Sequence, residues 1–443
     1  MKGTALRSIA AAAFALPALA GAAAAAPLCV NPTGKAPCFA TIQAAVNSAD
    51  AGDTITIFPG RYKESVQIPS DKDGLQISGT SALAVIVDLG ATGLGFGINS
   101  ANVTVQKLTI LSGDFGVVAR ANGAILQRLR ILGTHNGQAT GIFVLGGVTG
   151  TQILFNEFRA IGGNGIATEG GCDATVVKSN TMSNMPTAVV VNGANLQVTG
   201  NRIQVAGSGV RAFGDLATVS GNSFENVVEG ITVTGKNPVV DGNRGVAGVH
   251  LAQVFCTNCN GDNGGGEMNG NVGVGMSQGI NASPDGFPFH VERNTMTDSG
   301  SAYFFGGTGV DAKYNTAVGA TSLCFWSQGN GVTLTYSTAT RCRGAAYYIT
   351  GSTSVIGGNT ATDSGAFGFE AFGPGIVLTN NKASYTDGQG FGMVGTATAT
   401  VAGNAGFLNR LDFCNNTGNP GPSSDANDFE SVSTTCDIPY APF

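Results

Sequence analysis

Four short segments repeat one pattern at a fixed interval: VVKSN (176–180), QVTGN (197–201), TVSGN (218–222) and VVDGN (239–243). Their asparagines are each 21 residues apart. A fixed period in the twenties is typical of a solenoid, and short runs of Val, Ile and Thr between Gly and Asn predict strands. An Asn amide donates and accepts hydrogen bonds and its backbone tolerates a left-handed turn. One Asn per coil therefore predicts a hydrogen-bonded ladder along the solenoid.

The segment TIQAAVNSADAGDTITIFPGRYKESVQI (41–68) joins an amphipathic pattern to strand-like runs. With this segment and the ladder, residues 39–413 resemble the pectate-lyase-like β-helix superfamily of secreted carbohydrate-active proteins. The resemblance implies an all-β, right-handed parallel β-helix with coils of about 21–22 residues and a helix that caps its N-terminal end. It implies nothing more specific, because this cap precedes esterases, lyases, epimerases and non-enzymes alike.

After Asn243 the ladder breaks for 51 residues and resumes at Asn294. We interpret the Gly-rich break as an irregular coil or a protruding loop, since such loops often line a binding face. The expected organisation is a signal peptide (1–26), a parallel β-helix (27–413) with a capping helix (39–49) and an insertion (245–288), and a C-terminal cap or tail (414–443).

The signal-like N-terminus and the net charge limit the localisation and the classes of binding partner that we expect. Residues 1–26 carry two basic residues, an apolar run and then small residues, which predicts a secretory signal. The run is too short to span a membrane and no later stretch is long enough, so we expect a secreted or periplasmic protein. Removing Lys2 and Arg7 from the 22 basic residues leaves 20 against 28 acidic ones, a formal charge of −8. This disfavours nucleic acid, and an acidic polysaccharide would need a local basic patch or a bridging cation.

The nine cysteines suit an oxidising compartment, and their odd number leaves at least one unpaired within the chain. Cys256 and Cys259 form a CxxC that we interpret as a tight disulfide or two loop thiols, because no second CxxC or paired His follows. Near the two ends of the mature chain, the expected pairs are Cys29 with Cys38 and Cys414 with Cys436.

Strand alternation predicts which side chains face outward. The position three residues before each ladder residue is apolar throughout and is expected in the core, so the positions two and four before it point out. On most coils these are neutral. The exceptions are Asp241, His290, Glu292, Asp311 and Lys313, which would be neighbours along the axis if the insertion loops out. Because parallel coils lie about 4.8 Å apart, these five side chains would be close enough to perturb one another's pKa or to share a cation.

The same coils carry aromatic residues on a second strand. We expect an internal column ten residues after each ladder residue and an outward column one residue further along. Exposed aromatic rings offer apolar faces to sugars, unless a loop or the C-terminal tail covers them. The internal set is Phe304, Phe325, Tyr347, Phe369 and Phe391; the outward set is Phe305, Trp326, Tyr348 and Glu370, with Tyr303 beside it.

No residue set of a particular β-helix enzyme is present: the patterns of pectin esterases, polygalacturonases, pectate lyases and alginate epimerases are all missing. Hypotheses from different classes remain, and the first is a lyase or C5-epimerase of an acidic polysaccharide, both of which remove the proton beside a uronate carboxylate. Lys313 or His290 would be the base. The carboxylate charge would be held by Arg293 or Arg244, or by Ca²⁺ on Asp241, Glu292 and Asp311.

Two alternatives stay open. A glycoside hydrolase would use two of the carboxylates as acid and base. A non-catalytic surface protein would present Trp326 and Tyr348 to glycans or a partner. The sequence does not specify the sugar or the oligomeric state.

Overall fold

A computed structural model describes residues 27–90, 93–111, 113–133, 139–256, 265–284, 288–394, 398–417 and 427–434. The chain winds into a parallel β-solenoid of about 16 turns with roughly 22 residues per coil. Because each coil repeats the same strand positions, every strand pairs in parallel with its counterpart one coil away. The structure therefore confirms the expected fold class.

The first sheet contains the short strands that precede the ladder residues. Each pairs in parallel with the next in chain order. Its seventeen strands are Pro27–Val30, Thr54–Ile57, Gln76–Gly79, Thr104–Gln106, Ile125–Gln127, Gln152–Leu154, Val176–Lys178, Gln197–Thr199, Thr218–Ser220, Val239–Asp241, Gly266–Asn269, Phe289–Glu292, Val310–Lys313, Thr333–Thr335, Val355–Gly357, Pro374–Thr379 and Thr398–Ala402.

The second sheet forms the other two sides of each coil, as two rows that five long strands join. Its strands are Gly60–Tyr62, Val66–Ile68, Val85–Asp88, Leu94–Ile98, Thr109–Leu111, Phe115–Ala119, Arg130–Leu132, Thr140–Val144, Glu157–Arg159, Asn164–Thr168, Thr181–Asn192, Arg202–Phe213, Ser223–Thr234, Arg244–Cys256, Val272–Pro284, Thr295–Thr297, Ser301–Phe305, Thr316–Val318, Phe325–Ser327, Thr338–Thr340, Tyr347–Ile349, Thr360–Thr362, Phe367–Ala371, Lys382–Ser384, Gln389–Met393, Ala405–Phe407, Leu411–Asn415, Asp428–Phe429 and Val432–Ser433.

A helix lies against the first coils, as the amphipathic pattern predicts, but it is shorter and spans Ile42–Ser48. Its N-cap Thr41 accepts a hydrogen bond from the Ala44 amide. The Glu64 carboxylate accepts two further bonds, from the amides of Ile42 and Gln43, at 2.8 and 3.0 Å. The first-turn donors are therefore satisfied while the apolar side of the helix is buried. No helix in the described residues has the length and apolar character needed to cross a membrane.

The asparagine ladder is present and runs through the buried interior. In each regular rung the Oδ1 atom accepts from the backbone N–H and the side-chain amide of the previous Asn, as in the 2.9 Å bonds that Asn201 donates to Asn222. The amide of Asn222 also donates to the Val198 carbonyl at 2.8 Å. Corner polar groups are thereby satisfied without water. At Ser337 the hydroxyl replaces the amide and accepts from the Asn315 N–H.

The apolar column three residues before each ladder position is fully buried, as predicted. Its members named from the sequence are Val177, Val198, Val219, Val240, Val291, Ala312, Leu334, Ile356 and Leu378. An aromatic column fills the opposite wall of the C-terminal coils, with ring centroids 4.5–4.9 Å apart and ring planes within 6° of parallel: Tyr303, Phe325, Tyr347, Phe369 and Phe391. Four of these five were expected inside.

Of the two interpretations of residues 245–288, the structure supports the irregular coil. Strands Arg244–Cys256, Gly266–Asn269 and Val272–Pro284 form a further coil, and Asn271 continues the ladder. The segment GEMNGN (266–271) repeats the Gly-Asn ending of the earlier coils. It was missed because extra residues lengthen this coil to 28, so the 51-residue gap is two coils of 28 and 23 residues.

The C-terminal region also continues the repeat beyond the expected boundary at residue 414. Asn404 donates to Asn427, and strand Asp428–Phe429 pairs with the preceding coil. Disulfide Cys29–Cys38 forms as predicted. A second disulfide, Cys324–Cys342, was not predicted, and Cys172 is free and buried. Cys414 is disulfide-bonded, whereas its expected partner Cys436, like Cys259, lies outside the described residues.

Candidate functional site

The charged face is the outer surface of strands Gly266–Asn269, Phe289–Glu292 and Val310–Lys313. Alternation buries Val291 and Ala312 and turns their neighbours outward. The register pairs Glu267 with His290 and His290 with Asp311 in one column, and Asn269 with Glu292 and Glu292 with Lys313 in the other. The structure therefore brings His290, Glu292, Asp311 and Lys313 together, as predicted. Glu267 and Asn269 join them from the coil that sequence reasoning missed.

Asp311 is the centre of this face. Its Oδ2 atom accepts a 2.7 Å hydrogen bond from Lys313 Nζ and lies 3.3 Å from His290 Nδ1. The Asp311 side chain is about 20% exposed, while that of His290 is 48% exposed. A carboxylate at Nδ1 favours the tautomer that carries its proton there, which leaves the Nε2 lone pair free to accept a proton from outside.

Lys313 is poorly suited to act as a base. Its hydrogen bond to Asp311, the largest cause, raises the pKa of Lys313 above its ordinary value, and nearby Glu292 adds to this rise. The ammonium therefore keeps its proton at neutral pH and can donate hydrogen bonds or hold an anion. Of the two bases that the sequence suggested, His290 fits the geometry better.

Arg293 stands at the corner beside the charged face. Its guanidinium bonds Glu292 at 3.0 Å and lies 5.6 Å from the ring centroid of Tyr314, a cation–π distance. Tyr314 stacks in turn on Tyr336, with centroids 5.5 Å apart, and both rings are about half exposed. The corner therefore presents an aromatic and cationic edge, of which the sequence predicted Arg293 and not the two tyrosines.

Two expected members of the site lie elsewhere. Asp241 pairs with Asn269, which pairs with Glu292, so Asp241 is two coils or about 10 Å from Glu292. Arg244 begins a strand of the second sheet on the same distant coil. The cause is the additional coil between them.

The expected calcium site does not fit the structure. In the described part of the chain, no three side chains among His, Cys, Asp and Glu are placed to bind one metal ion. Asp241 is separated from Glu292 and Asp311 by the additional coil, and Asp311 is bonded to a lysine.

The outward aromatic column also needs a correction. Tyr303 and Phe305 are buried, and Phe304 is the residue that pairs with Trp326 on the outer side. The turn leading to Phe325 is one residue longer than the turn leading to Tyr303, so a count of ten from the ladder residue fails in the first of these coils. The outer residues Phe304, Trp326 and Tyr348, which we name the aromatic strip, form edge-to-face contacts with centroids 4.9 and 6.2 Å apart.

A cleft of about 200 Å³ opens beside the aromatic strip. Phe304 and Trp326 form its apolar wall, and Gln278, Asn281 and Ser301 supply amide and hydroxyl groups. Aromatic faces combined with a few amides and hydroxyls suit sugar rings, which present C–H faces and many hydroxyls. The Phe304 ring packs against Gly306: two of its ring atoms lie within 2.8 Å of the position that a Cβ on Gly306 would occupy. The ring therefore lies on the side of the turn that leads to the charged face.

Glu370 ends the outer column in an apolar setting. It pairs with Tyr348 and with Gly392, and it is only 7% exposed. Burial raises the pKa of Glu370 from 4.5 to about 7. The carboxyl group is therefore largely protonated below neutral pH and can donate a hydrogen bond there.

This shift predicts a pH-dependent stability. The pKa of Glu370 is higher in the folded than in the unfolded protein. The stabilisation of the fold by the protonated Glu370 carboxyl group is therefore fully present below about pH 4.5, and it is lost as pH rises through about 7. At about pH 8, Glu370→Gln should be more stable than wild type by up to about 3 kcal/mol, whereas near pH 4 the two should agree. Thermal unfolding of both proteins across this range is the measurement, and a difference that does not change with pH contradicts the assignment.

Residues 92–245 match the family model described as right handed beta helix region, and no significant match is found among curated protein sequences. With the stacked parallel coils, this match confirms the expected fold: the protein is a right-handed parallel β-helix.

Several solved structures are similar to this chain at low identity. The catalytic domain of a GH87 α-1,3-glucanase in complex with tetrasaccharides is 11% identical, with a TM-score of 0.42 over 82% of this chain and 67% of that chain. A PL6 family polysaccharide lyase from Pseudopedobacter saltans is 14% identical, with a TM-score of 0.38 over 74% and 83%. The mannuronan C-5 epimerase A-module from Azotobacter vinelandii is 14% identical, with a TM-score of 0.29 over 84% and 94%. These similarities concern the fold alone.

Proposed function

We propose that this protein is an exported enzyme that removes the C5 proton of a uronate residue in an acidic polysaccharide, as a lyase or a C5-epimerase. The observation that carries the proposal is the exposed His290 side chain whose Nδ1 lies 3.3 Å from Asp311, with protonated Lys313 bonded to the same carboxylate. A proton acceptor and a cation next to one another are the two groups that this chemistry requires.

Each group has a defined part in the reaction. The Nε2 atom of His290 takes the C5 proton, while Asp311 stabilises the imidazolium that forms. Lys313 and Arg293 hold the substrate carboxylate, on which negative charge builds up as the proton leaves. In β-elimination the electron pair at C5 forms the C4–C5 double bond and the C4–O bond breaks. The leaving oxygen then takes a proton from Lys313 or water. In epimerisation water gives a proton to the opposite face of C5, and the proton held by His290 passes to solvent.

Unsatisfied polar atoms on the charged face support a functional role. Within the described residues, Asp311 Oδ1, Asn269 Oδ1 and Thr335 Oγ1 are buried without a hydrogen-bond partner. All three belong to strands of the first sheet within a span of four coils. Such atoms are unfavourable for stability and are uncommon in folded proteins, so those on this face fit a surface that completes its hydrogen bonds on ligand binding.

A panel of polyuronates incubated with the purified protein, with and without calcium, tests the proposal. A lyase raises the ultraviolet absorbance of unsaturated products. An epimerase in heavy water incorporates deuterium at C5, which nuclear magnetic resonance detects. At least one substrate should give one of these signals. If none does, the enzymatic assignment is wrong.

The cleft beside Trp326 favours a second candidate, a non-catalytic glycan-binding protein. Trp326 is the single tryptophan of the chain, so its fluorescence reports directly on this surface. Fluorescence changes with a glycan that gives neither absorbance nor deuterium incorporation would support this candidate. Trp326→Ala should then lower affinity, with Val355→Ala on another face as the control.

A further inference from the structure

A second groove lies on the N-terminal half of the solenoid, far from the charged face. It has a volume of about 360 Å³ and follows the corner where the first sheet turns into the second. Two arginines, one acid, one exposed phenylalanine and two hydroxyl groups line it: Arg128, Arg130, Glu157, Phe155, Ser179 and Thr181. No part of the proposed reaction uses these residues.

The charges in the groove favour an anion. Arg130 is bonded to Glu157 at 2.7 Å, so these two charges largely balance. Arg128 is exposed and forms no ion pair within the described part of the chain. Lys107 precedes it at the same corner one coil earlier. The groove therefore has a net positive charge in a protein whose overall formal charge is −6.

At this corner the residue directly before each ladder residue has a left-handed backbone conformation, which favours glycine. Glycine occupies the position in the four middle coils, at Gly200, Gly221, Gly242 and Gly270, with φ of 60–63°. Arg128 and Phe155 adopt the same conformation, with φ of 53° and 56°. A side chain there costs about 1–2 kcal/mol of backbone strain. Glycine at either position would therefore relieve strain in the backbone.

Phe155 completes the arrangement. Its ring is 53% exposed one coil beyond Arg128, where a sugar ring can stack on it. The hydroxyl groups of Ser179 and Thr181 follow in the next coil and can bond sugar hydroxyls. A guanidinium beside an exposed ring and hydroxyl groups matches a sugar that carries a carboxylate.

We propose that the groove at Arg128, Arg130 and Phe155 is a second binding site for an acidic polysaccharide, which takes a uronate residue through its carboxylate and ring face. This inference rests on the proposed function for its substrate class. The corner positions of Phe155 and Arg293 are six coils, or about 29 Å, apart along the axis. A long polymer can therefore occupy both regions, and the groove supplies the local basic patch that an acidic substrate of an acidic protein needs.

The test uses variants that relieve the backbone. Arg128→Gly and Phe155→Gly place at these corners the residue found in the four middle coils, so both should unfold at an equal or higher temperature than wild type. Arg341→Gly is the matched control, since Arg341 is an exposed arginine with φ of 55° at a different corner. The probe is hexagalacturonate, with a neutral glucose hexamer for comparison, and calorimetry measures the affinity.

Wild type and Arg341→Gly should bind hexagalacturonate with the same Kd, and more weakly as salt is added. Arg128→Gly and Phe155→Gly should each raise this Kd at least tenfold. The neutral hexamer should bind weakly to all four proteins. Equal affinity of Arg128→Gly and wild type, or no binding by wild type, overturns the proposal. If the enzyme assay fails while Arg128-dependent binding persists, only the proposed function is lost. If turnover is observed but the Kd is unaffected by Arg128, only this site is lost.

Discussion

Replacing Asn222 with alanine should lower the free energy of unfolding by roughly 4 kcal/mol, the largest effect on stability expected from a single change in this chain. The Asn201 N–H and one Asn201 amide hydrogen lose the Oδ1 acceptor, and the Val198 carbonyl loses its donor. Asn222 is only 1% exposed, so water cannot replace these bonds. Each buried group left unsatisfied costs about 1–3 kcal/mol.

Chemical unfolding followed by circular dichroism measures this loss. Ser220→Ala is the matched control, because it changes an outward side chain two residues earlier in the same coil. Since each coil contacts only its neighbours, the Asn222 variant can also unfold in two steps on either side of the damaged rung. Equal stability of the two variants would show that the ladder contributes little.

His290→Ala should reduce kcat by about 10²–10⁴ on whichever polyuronate proves to be the substrate, because it removes the only base placed against Asp311 in the described chain. The side chain is half exposed, so the fold should be unaffected. Steady-state kinetics of the variant and of wild type, with thermal unfolding as a check, give the result.

Lys313→Ala and Thr333→Ala refine this experiment. Lys313→Ala should raise KM as well as lower kcat, since the ammonium would hold the carboxylate in the ground state and in the transition state. Thr333 continues the column of His290 and Asp311 one coil further, and its replacement should leave both constants unchanged. Retention of full activity by His290→Ala would remove the proposed centre.

Most of the fold could be predicted from the repeat, because one ladder residue per coil sets the register of every strand that precedes it. The buried column from Val177 to Leu378 follows directly. The coil that contains Asn271 was missed because its extra residues break the spacing, although the ending NGN at 269–271 repeats the pattern. Spacing alone therefore misses a coil that contains extra residues.

The candidate site was only partly predictable for the same reason. His290, Asp311 and Lys313 come from neighbouring coils of regular length and were placed correctly. Asp241 was misplaced by the missed coil, and Phe304 was exchanged for Phe305 by a turn one residue longer. The role of Lys313 depends on its 2.7 Å bond to Asp311, which no spacing reveals.

The column of rings from Tyr303 to Phe391 has an optical consequence. Neighbouring rings are parallel within 6° and 4.5–4.9 Å apart, so their electronic transitions couple. Native protein should therefore give an excitonic signal in near-ultraviolet circular dichroism that disappears when these coils slip by a single residue. This signal would report the register of the C-terminal coils without a label.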